Sequence, residues 1–504
     1  MKKRLLSVYF LACSLTMSAQ AFFGESPKLV VGVVVDQMRW DYLSRYYNQF
    51  TQDGFKRLID NGYSCNNCLI NYVPTITAIG HTSIYTGTTP ALHGICGNNF
   101  YIDGRKTYCT QDDTEHTVGS TTAKGQESPR NMLATTIGDQ LRLHTDFRSK
   151  VIGVSYKDRA SILPAGHSAN AAFWLDTKAK NLCFISSTYY MQELPQWVKD
   201  FNARLLKDKE AQKWGHDIGL SPLCGTITTD MAIAALENER LGKGEVTDML
   251  CVSYSQTDVM GHKWGTRGEH ADDAYLTLDR DLGRLLKALD RQVGEGNYLL
   301  FLTADHGGAH NYKFMQDHHQ HAGQWLTEEE QKNMEAAVAS HYGRELNPVI
   351  SAVLDYRVFL SHERIKEQQL DLEVVKQVIV DYLRQSPHTC YAVAFDKVAT
   401  TAMPPQLRDR ILMGYHPRRS GDIVYVPDPG YYDYGHWSSP VGTTHGAWNP
   451  YDAHIPLLFY GWKVAHGATS REVHITDIAP TICQLLHIQQ PNACIGEAII
   501  EITK

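Results

Sequence analysis

Short runs of apolar and β-branched residues alternate along the chain with segments whose apolar positions have helical spacing. The strand-like runs occupy residues 29–35, 151–156, 249–254, 298–303 and 455–460. The clearest helical segment, residues 271–291, carries leucines three and four positions apart, the pattern of a helix that buries one face. Strands that alternate with helices predict an α/β fold in which a mostly parallel sheet is sandwiched between helices.

A second, smaller set of elements interrupts this alternation between residues 342 and 435. It contains strand-like runs, a helical segment at residues 372–385 and a shorter one near Leu407. We expect residues 22–504 to form one large domain in which 342–435 are an inserted α/β cap, with two separate domains as the alternative. The oligomeric state does not follow from these patterns.

Charge and the first residues of the chain narrow the class of protein. The 504 residues carry a formal net charge of -7, which provides no basic field, so we expect no nucleic-acid-binding surface. Basic residues, a short apolar run and the sequence Ala19-Gln20-Ala21 predict a cleaved signal peptide at residues 1–21. No later run approaches the roughly 20 apolar residues of a membrane helix. We therefore expect an exported protein, periplasmic or extracellular, without a membrane span.

Cysteine usage predicts disulfide bonds. Eleven cysteines occur in the chain, and ten remain once Cys13 is removed with the signal peptide. An even number in an exported chain favours disulfides over free thiols. For the single CxxC motif of Cys65 and Cys68, a structural disulfide is favoured over zinc or redox chemistry, because no second CxxC follows. The connectivity does not follow from the sequence.

Aspartate and histidine residues occur where several predicted strands end. Asp36 follows the first of these strands, and the adjacent Asp305 and His306 follow the fourth. Asp258 and His262 come after the third and are four residues apart, so a helix there would direct both toward one ion. Ligands of parallel sheets bind beyond the carboxyl ends of the strands, and mixed Asp/His sets suit zinc. These positions predict a metal site.

The segment PTITAIGHTSIYTG contains two candidate nucleophiles for such a site. Two divalent cations about 4 Å apart can hold the attacking and leaving oxygens of an in-line phosphoryl transfer. A Thr hydroxyl is barely ionised at neutral pH, but coordination to a metal lowers its pKa. Spacing alone allows either Thr75 or Thr77 to be the nucleophile.

Four motifs occur in the order PTITAIGHTSIYTGTTPALHGICGNNF, TDVMGH, TADHGG and GTTHG. In this order they resemble the alkaline phosphatase superfamily and its nucleotide pyrophosphatase/phosphodiesterase relatives, most closely the bacterial PafA-type phosphatases with a Thr nucleophile. The resemblance spans nearly the whole mature chain. It implies an alkaline phosphatase-like catalytic domain at residues 22–504, within which the inserted cap, 342–435, borders the active site.

The resemblance also implies roles for individual residues. Thr77, the second Thr of P-T-x-T, is the implied nucleophile, and Asn98 is the implied donor to a nonbridging phosphate oxygen. Two Zn²⁺ ions are the implied cofactors. The implied ligands are Asp258, His262 and His445 for one zinc, and Asp36, Thr77, Asp305 and His306 for the other.

Lys157 and Arg159 bear on the choice between monoesters and diesters. Both directly follow the strand-like run 151–156, and residues two apart in extended backbone point to the same side. A monoester carries one more negative charge than a diester, and an ammonium with a guanidinium fork suits its oxygens. PafA-type enzymes have this Lys-x-Arg pair, whereas diesterase relatives generally lack it.

These features predict a secreted or periplasmic two-zinc alkaline phosphatase that hydrolyses phosphate monoesters with broad specificity through a phosphothreonine intermediate. The alternatives are a nucleotide pyrophosphatase/phosphodiesterase and a noncatalytic phosphate-binding protein. A sulfatase is disfavoured because the nucleophile segment lacks the motif C/S-x-P-x-R. The physiological substrate, and zinc against other divalent metals in vivo, do not follow from the sequence.

Several other histidines receive structural interpretations. His81 and His93 lie in the nucleophile segment and are expected to make structural hydrogen bonds. The run Asp317-His318-His319-Gln320-His321 is interpreted as a polar loop near the cap, with a further metal site as the alternative.

Overall fold

A ten-stranded mixed sheet runs through the protein, whose computed structural model describes residues 26–433 and 439–503. The predicted signal peptide at residues 1–21 lies outside the described residues. In spatial order the strands are Gly467–Thr469, Tyr63–Cys65, Leu457–Gly461, Tyr298–Thr303, Leu29–Val35, Asp248–Tyr254, Val151–Ser155, Ala171–Asp176, Cys183–Ser187 and Thr117–Val118.

Five adjacent strands, from Tyr298–Thr303 to Ala171–Asp176, are mutually parallel and form the centre of this sheet. Four of the predicted strands are confirmed here within one residue at each end. The prediction at 455–460 needs a correction, because the strand is Leu457–Gly461 and runs antiparallel to its neighbour Tyr298–Thr303. An apolar run marks a buried strand but carries no information about its direction.

Helices cover both faces of the sheet, so the predicted α/β fold is confirmed. The predicted helix at 271–291 is Glu269–Gln292, whose buried residues include Leu278, Leu282, Leu285 and Leu289. No single helix among the described residues is long and apolar enough to cross a membrane. One bent pair of segments, Lys209–Leu220 with Leu223–Asn238, meets the criteria of length and composition for a membrane span, and those criteria only. The other α-helices are Asp41–Arg45, Phe55–Asn61, Thr77–Thr86, Pro90–His93, Ile137–His144, Asp158–Ala165, Gln196–Leu205, Lys209–Trp214, Leu223–Asn238, Gln256–Trp264, Tyr312–Asp317, Thr327–Tyr342, His362–Glu367, Leu372–Gln385, Pro405–Met413, Pro450–Ala453, Ile478–Leu486 and Ile500–Thr503.

A four-stranded antiparallel sheet forms a second layer with its own hydrophobic cluster. Its strands in spatial order are Ile350–Leu354, Arg357–Leu360, Ile423–Pro427 and Thr389–Ala394. The cluster also includes Trp325, Met334 and Val338, so helix Thr327–Tyr342 packs with this layer although it precedes residue 342. The remaining described strands are Cys68–Leu69, Asn99–Ile102, Arg105–Tyr108, Gly323–Trp325, Tyr431–Asp433, His454–Ile455 and Val473–His474.

The ten cysteines that follow Cys13 are free thiols, so the predicted disulfides are wrong. Cys65 lies in a strand of the ten-stranded sheet, whereas Cys68 lies in a strand of a separate three-stranded sheet. Both side chains are buried, and burial raises the pKa of the Cys65 thiol to about 12. A reduced cysteine packs as a small apolar side chain, which is how these residues contribute to the core.

Candidate active site

The carboxyl ends of the parallel strands carry a cluster of buried charged residues. Asp36 directly follows strand Leu29–Val35, and Asp305 comes just after strand Tyr298–Thr303. Asp258 lies in helix Gln256–Trp264, which begins after strand Asp248–Tyr254. None of the three aspartates is more than 3% exposed. The sheet therefore brings Asp36 close to side chains that follow it by more than two hundred positions in the chain.

One lysine ammonium bridges two of these carboxylates. Lys157 Nζ donates to Asp36 Oδ2 at 2.7 Å and to Asp258 Oδ2 at 2.6 Å. Burial and the charges of Asp258 and Asp305 raise the pKa of Asp36 well above its ordinary value. Burial also opposes ionisation of Asp258, but His262 and Lys157 outweigh it and hold the pKa of Asp258 well below its ordinary value. The cluster thus favours bound positive charge.

Three histidines are oriented in the same way, each with Nδ1 at a backbone carbonyl oxygen. The distances are 2.8 Å from His306 to Gly307, 2.7 Å from His445 to Thr75 and 2.8 Å from His262 to Thr443. A carbonyl only accepts, so each Nδ1 donates a proton there and Nε2 is the nitrogen left for other partners. Metal-binding histidines are oriented by this kind of outer hydrogen bond.

Each Nε2 atom faces aspartate oxygens. The distances are 3.1 Å from His262 to Asp258 Oδ1, 3.6 Å from His445 to Asp258 Oδ1, 3.5 Å from His306 to Asp36 Oδ1 and 3.5 Å from His306 to Asp305 Oδ2. The rings of His306 and His445 stack with centroids 3.5 Å apart. Burial lowers the pKa of both histidines, which favours the neutral imidazole that a metal needs.

The side chains fit divalent metal ions. Two groups of three residues each bring their ligand atoms within 4.8 Å of one another. One group is Asp258, His306 and His445, and the other is Asp36, Asp305 and His306. Asp36 Oδ1 is buried and accepts no hydrogen bond from any described residue. Neutral imidazole nitrogen and carboxylate oxygen in this mixture are zinc ligands.

Thr77 is the first residue of helix Thr77–Thr86, and its hydroxyl reaches this cluster. Its Oγ1 lies 3.4 Å from His306 Nε2. The helix packs closely on the strand end, because a Cβ at Gly80 would lie 2.2 Å from the carbonyl oxygen of Asp305. Thr75 differs, since its hydroxyl donates to the Ala447 carbonyl at 2.9 Å and accepts from a backbone N–H.

Asn98 lies beside the start of this helix. Its Oδ1 accepts a hydrogen bond from the backbone N–H of Ala78 at 3.2 Å. Because the oxygen is used in this way, the donor part of the side chain is its NH₂ group. The contact fixes Asn98 next to the residue that follows Thr77.

Lys157 and Arg159 line the same cleft of about 540 Å³, but the predicted reason for their placement is wrong. The strand ends at Ser155, Lys157 is extended, and Arg159 already belongs to helix Asp158–Ala165, so strand alternation does not apply. Instead, Arg159 Nη1 donates to Tyr108 Oη at 2.9 Å, and that hydroxyl donates to Asp158 Oδ1 at 2.5 Å. The chain thus turns from strand to helix between the two cations.

Three residues support the cluster without having been identified as site residues from sequence. Gln37, in a left-handed conformation with φ of 62°, donates from Nε2 to Asp258 Oδ1 at 2.7 Å. His81, whose structural role was predicted, contacts the Thr77 carbonyl at 2.9 Å and the carboxylate of Asp305 at 3.2 Å. The four-residue spacing from Thr77 to His81 was a usable signal, whereas nothing in the sequence identifies Gln37 or Tyr108.

Comparison with known proteins places these residues in a family. The model of the type I phosphodiesterase/nucleotide pyrophosphatase family matches residues 30–448. Alkaline phosphatase PafA of Elizabethkingia meningoseptica is 42% identical, covering 94% of each chain. A protein of Myroides odoratus named calcium-transporting ATPase is 43% identical over 95% of each chain, and alkaline phosphatase PhoV of Synechococcus elongatus is 41% identical over 95% of this chain and 93% of its own.

The fold agrees with these sequence matches. The crystal structure of wild-type PafA has a TM-score of 0.90, covering 95% of this chain and all of PafA. A crystal structure of a PafA variant with four substitutions has a TM-score of 0.89. The resemblance seen in the sequence motifs is therefore confirmed, and the chain belongs to the type I phosphodiesterase/nucleotide pyrophosphatase family of the alkaline phosphatase superfamily.

Proposed function

We propose that this protein is a two-zinc alkaline phosphatase that transfers the phosphoryl group of a monoester to Thr77 and then to water. The observation that carries the proposal is the position of the Thr77 hydroxyl, 3.4 Å from His306 Nε2. His306 belongs to both sets of candidate metal ligands. The hydroxyl thus lies where an ion could lower its pKa.

Thr77 is favoured over Thr75 as the nucleophile. The Thr75 hydroxyl is engaged on both sides by backbone groups at 2.9 Å and 3.1 Å, which indicates a structural role. Thr77 stands at the N-terminus of a helix, where the backbone N–H groups and the helix dipole favour an anion. A phosphorylated Thr77 would therefore be stabilised by its own helix.

The candidate metal ligands are divided as the family resemblance implies. We assign Asp258, His262 and His445 to one zinc, and Asp36, Thr77, Asp305 and His306 to the other. When bound, the two ions would supply positive charge at the attacking and leaving oxygens. Among the protein groups, the three backbone carbonyls that accept from Nδ1 fix the orientation of each imidazole.

Lys157, Arg159 and Asn98 are proposed to bind the nonbridging phosphate oxygens. The PafA variant carries replacements of a threonine, an asparagine, a lysine and an arginine, at the spacings that separate Thr77 from Asn98 and Lys157 from Arg159. Two cations beside one amide donor suit the dianion of a monoester. Their preorganised charge would stabilise the phosphoryl group in the transition state of the transfer.

Lys157 and Arg159 also favour a monoesterase over a phosphodiesterase. A nucleotide pyrophosphatase or phosphodiesterase handles a phosphate with one charge fewer, for which two cations offer less advantage. A terminal phosphate of a nucleoside triphosphate, by contrast, resembles a monoester, so hydrolysis of such compounds fits the same site. Recognition by Lys157, Arg159 and Asn98 is directed at the phosphate, so we expect the leaving group to be held loosely and the specificity to be broad.

We place the catalytic site in one domain, residues 22–504, and treat 342–435 as a cap within it. His445 follows the cap in the chain, and its Nε2 lies 3.6 Å from Asp258, in the helix that follows strand Asp248–Tyr254 of the main sheet. The first 21 residues support export to the periplasm or the extracellular space.

The proposal is tested by comparing kcat/KM of the zinc-loaded mature protein for p-nitrophenyl phosphate and bis-p-nitrophenyl phosphate. We expect a strong preference for the monoester, and a phosphorylated Thr77 peptide in acid-quenched protein. Thr77→Ala should lower monoester kcat by roughly a thousandfold or more after subtraction of background hydrolysis. Thr86→Ala, in the last turn of the same helix, is the matched control and should retain activity.

Three results would contradict parts of the proposal. Unchanged turnover in Thr77→Ala would exclude Thr77 as the nucleophile. A diester preference would move the protein to the phosphodiesterase class. No turnover of either compound by the zinc-loaded protein would favour a noncatalytic phosphate-binding role.

A further inference from the structure

A second cluster of metal-ligand side chains lies outside the candidate active site. His321, from the loop before strand Gly323–Trp325, meets His388 and Asp428 from the four-stranded layer. His321 Nε2 and His388 Nδ1 each lie 3.5 Å from the same atom, Asp428 Oδ2. The cluster shares no residue with the candidate active site, and its three members come from distant parts of the chain.

The separations match a tetrahedral zinc site. With zinc–nitrogen and zinc–oxygen bonds of about 2.1 Å, neighbouring ligand atoms of a tetrahedron are about 3.4 Å apart. Both histidine nitrogens lie at 3.5 Å from the carboxylate oxygen, and one ligand atom of each residue lies within 4.8 Å of the others. Three protein ligands leave one position for water. Little movement is needed to close the three side chains around an ion.

Neighbouring groups hold two of the ligands in place. Cys390 Sγ lies 3.0 Å from the other carboxylate oxygen, Asp428 Oδ1, and the backbone N–H of Asp428 donates to the carbonyl of His388 at 2.9 Å. The His388 ring stacks on Tyr431 with centroids 4.0 Å apart. His388 itself has φ of 68°, in the left-handed region that few non-glycine residues adopt. Hydrogen bonds behind the ligands are typical of metal sites.

We propose that His321, His388 and Asp428 bind a further Zn²⁺ ion that fastens the 318–322 loop to the four-stranded layer. Asp428 directly follows strand Ile423–Pro427, and His388 directly precedes strand Thr389–Ala394, so the ion would join the open ends of two paired strands. His321 adds the loop that the sequence indicated to be polar, with a further metal site as the alternative. Strand Gly323–Trp325, which follows the loop, pairs with Tyr431–Asp433, so the same ion would stabilise that pairing.

The test is the zinc content of the full mature protein after equilibration with zinc and dialysis into zinc-free buffer. Asp428→Asn and His388→Ala should each bind about one zinc ion per chain less than the wild type. His318→Ala is the matched control, because it removes an exposed histidine from the same loop that is not part of the cluster. Turnover of p-nitrophenyl phosphate should be retained in all three variants, since none removes a residue assigned to the active site.

The test depends only on the difference in zinc content between the wild type and each variant, so the number of ions in the active site does not affect it. Equal zinc content in the wild type and both cluster variants would overturn the proposal. A wild-type crystal grown with zinc gives a second readout that needs no variant, because anomalous scattering should show an ion between His321, His388 and Asp428. Absence of that peak would overturn the proposal even if a variant failed to fold.

Discussion

Replacement of Arg159 by Ala is the sharpest test of how the candidate site selects its substrate. The guanidinium is 16% exposed and held by the Tyr108 hydroxyl, which is itself fixed by Asp158. Lys157 is a poorer probe, because its ammonium also neutralises Asp36 and its removal would alter the metal ligands. Arg159 makes no ion pair with the candidate metal ligands among the described residues, so its loss acts mainly on the phosphate.

The expected size of the effect follows from the contact that is lost. A hydrogen bond to a charged group contributes about 1.5–3 kcal/mol. Since about 1.4 kcal/mol corresponds to a factor of ten, Arg159→Ala should lower monoester kcat/KM by about 10- to 150-fold. A diester has one negative charge fewer, so its kcat/KM should fall by a smaller factor.

The assay compares kcat/KM for p-nitrophenyl phosphate and bis-p-nitrophenyl phosphate at fixed zinc and ionic strength. Arg159→Lys keeps the charge but loses the planar fork, so it should recover part of the monoester activity. Tyr108→Phe keeps the ring and removes only the hydroxyl, and the loss of about 1 kcal/mol predicts a decrease of about fivefold for the monoester.

Equal losses for the two substrates in Arg159→Ala would refute the reasoning. They would mean that Arg159 supports the structure of the site in general and does not recognise the additional charge. The zinc content of the variant must equal that of the wild type, so that a loss of metal is not mistaken for a loss of phosphate binding.

Three further predictions concern the metals, the packing and the pH dependence of stability. Removal of metal by a chelator should abolish monoester turnover and zinc should restore it; persistent activity in metal-free protein would contradict the two-metal proposal. Gly80→Ala places a Cβ 2.2 Å from the Asp305 carbonyl, so urea unfolding should show a loss of about 1–3 kcal/mol and kcat should fall, whereas unchanged values would show that the helix can shift freely. Burial raises the pKa of Asp139, but hydrogen bonds from His167 and from backbone N–H groups outweigh burial and lower that pKa to about 2. The stabilisation of the fold by ionised Asp139, about 2 kcal/mol, should therefore be complete above pH 4 and be lost as pH falls through 2. The pKa of His167 is raised, so the stabilisation by its charged ring should be complete below about pH 6.5 and be lost as pH rises through the pKa of the folded protein. The difference in unfolding free energy between wild type and Asp139→Asn, measured against pH, reports both effects. A difference that does not change with pH would contradict this assignment.

Local patterns in the sequence were sufficient for the core strands and the long helix. Leu29–Val35 and Tyr298–Thr303 were predicted with correct bounds because a buried strand leaves a continuous apolar run. The direction of Leu457–Gly461 was not predictable, because buried strands of either direction share the same composition. The same limit applies to the cysteines, since an even count says nothing about which thiols are close in space.

Local patterns in the sequence indicated some residues of the candidate site, but not their arrangement. Strand ends and helical spacing indicated Asp36, Asp258 and His262 before any contact was known, because these rules depend only on neighbours along the chain. The choice of Thr77 over Thr75 required either the family resemblance or the structure, in which backbone groups engage the Thr75 hydroxyl. Only folding shows which hydroxyl remains available.

The sequence by itself determined the α/β alternation, the family and the chemical types at the site. Only the tertiary structure decided that Tyr108 holds Arg159, that three backbone carbonyls orient the histidines, and that His321 meets His388 and Asp428. The physical reason is the distance along the chain over which each kind of interaction acts. Local patterns report hydrogen bonding and burial within a few residues, whereas these contacts join segments that approach one another only when the sheets and helices pack.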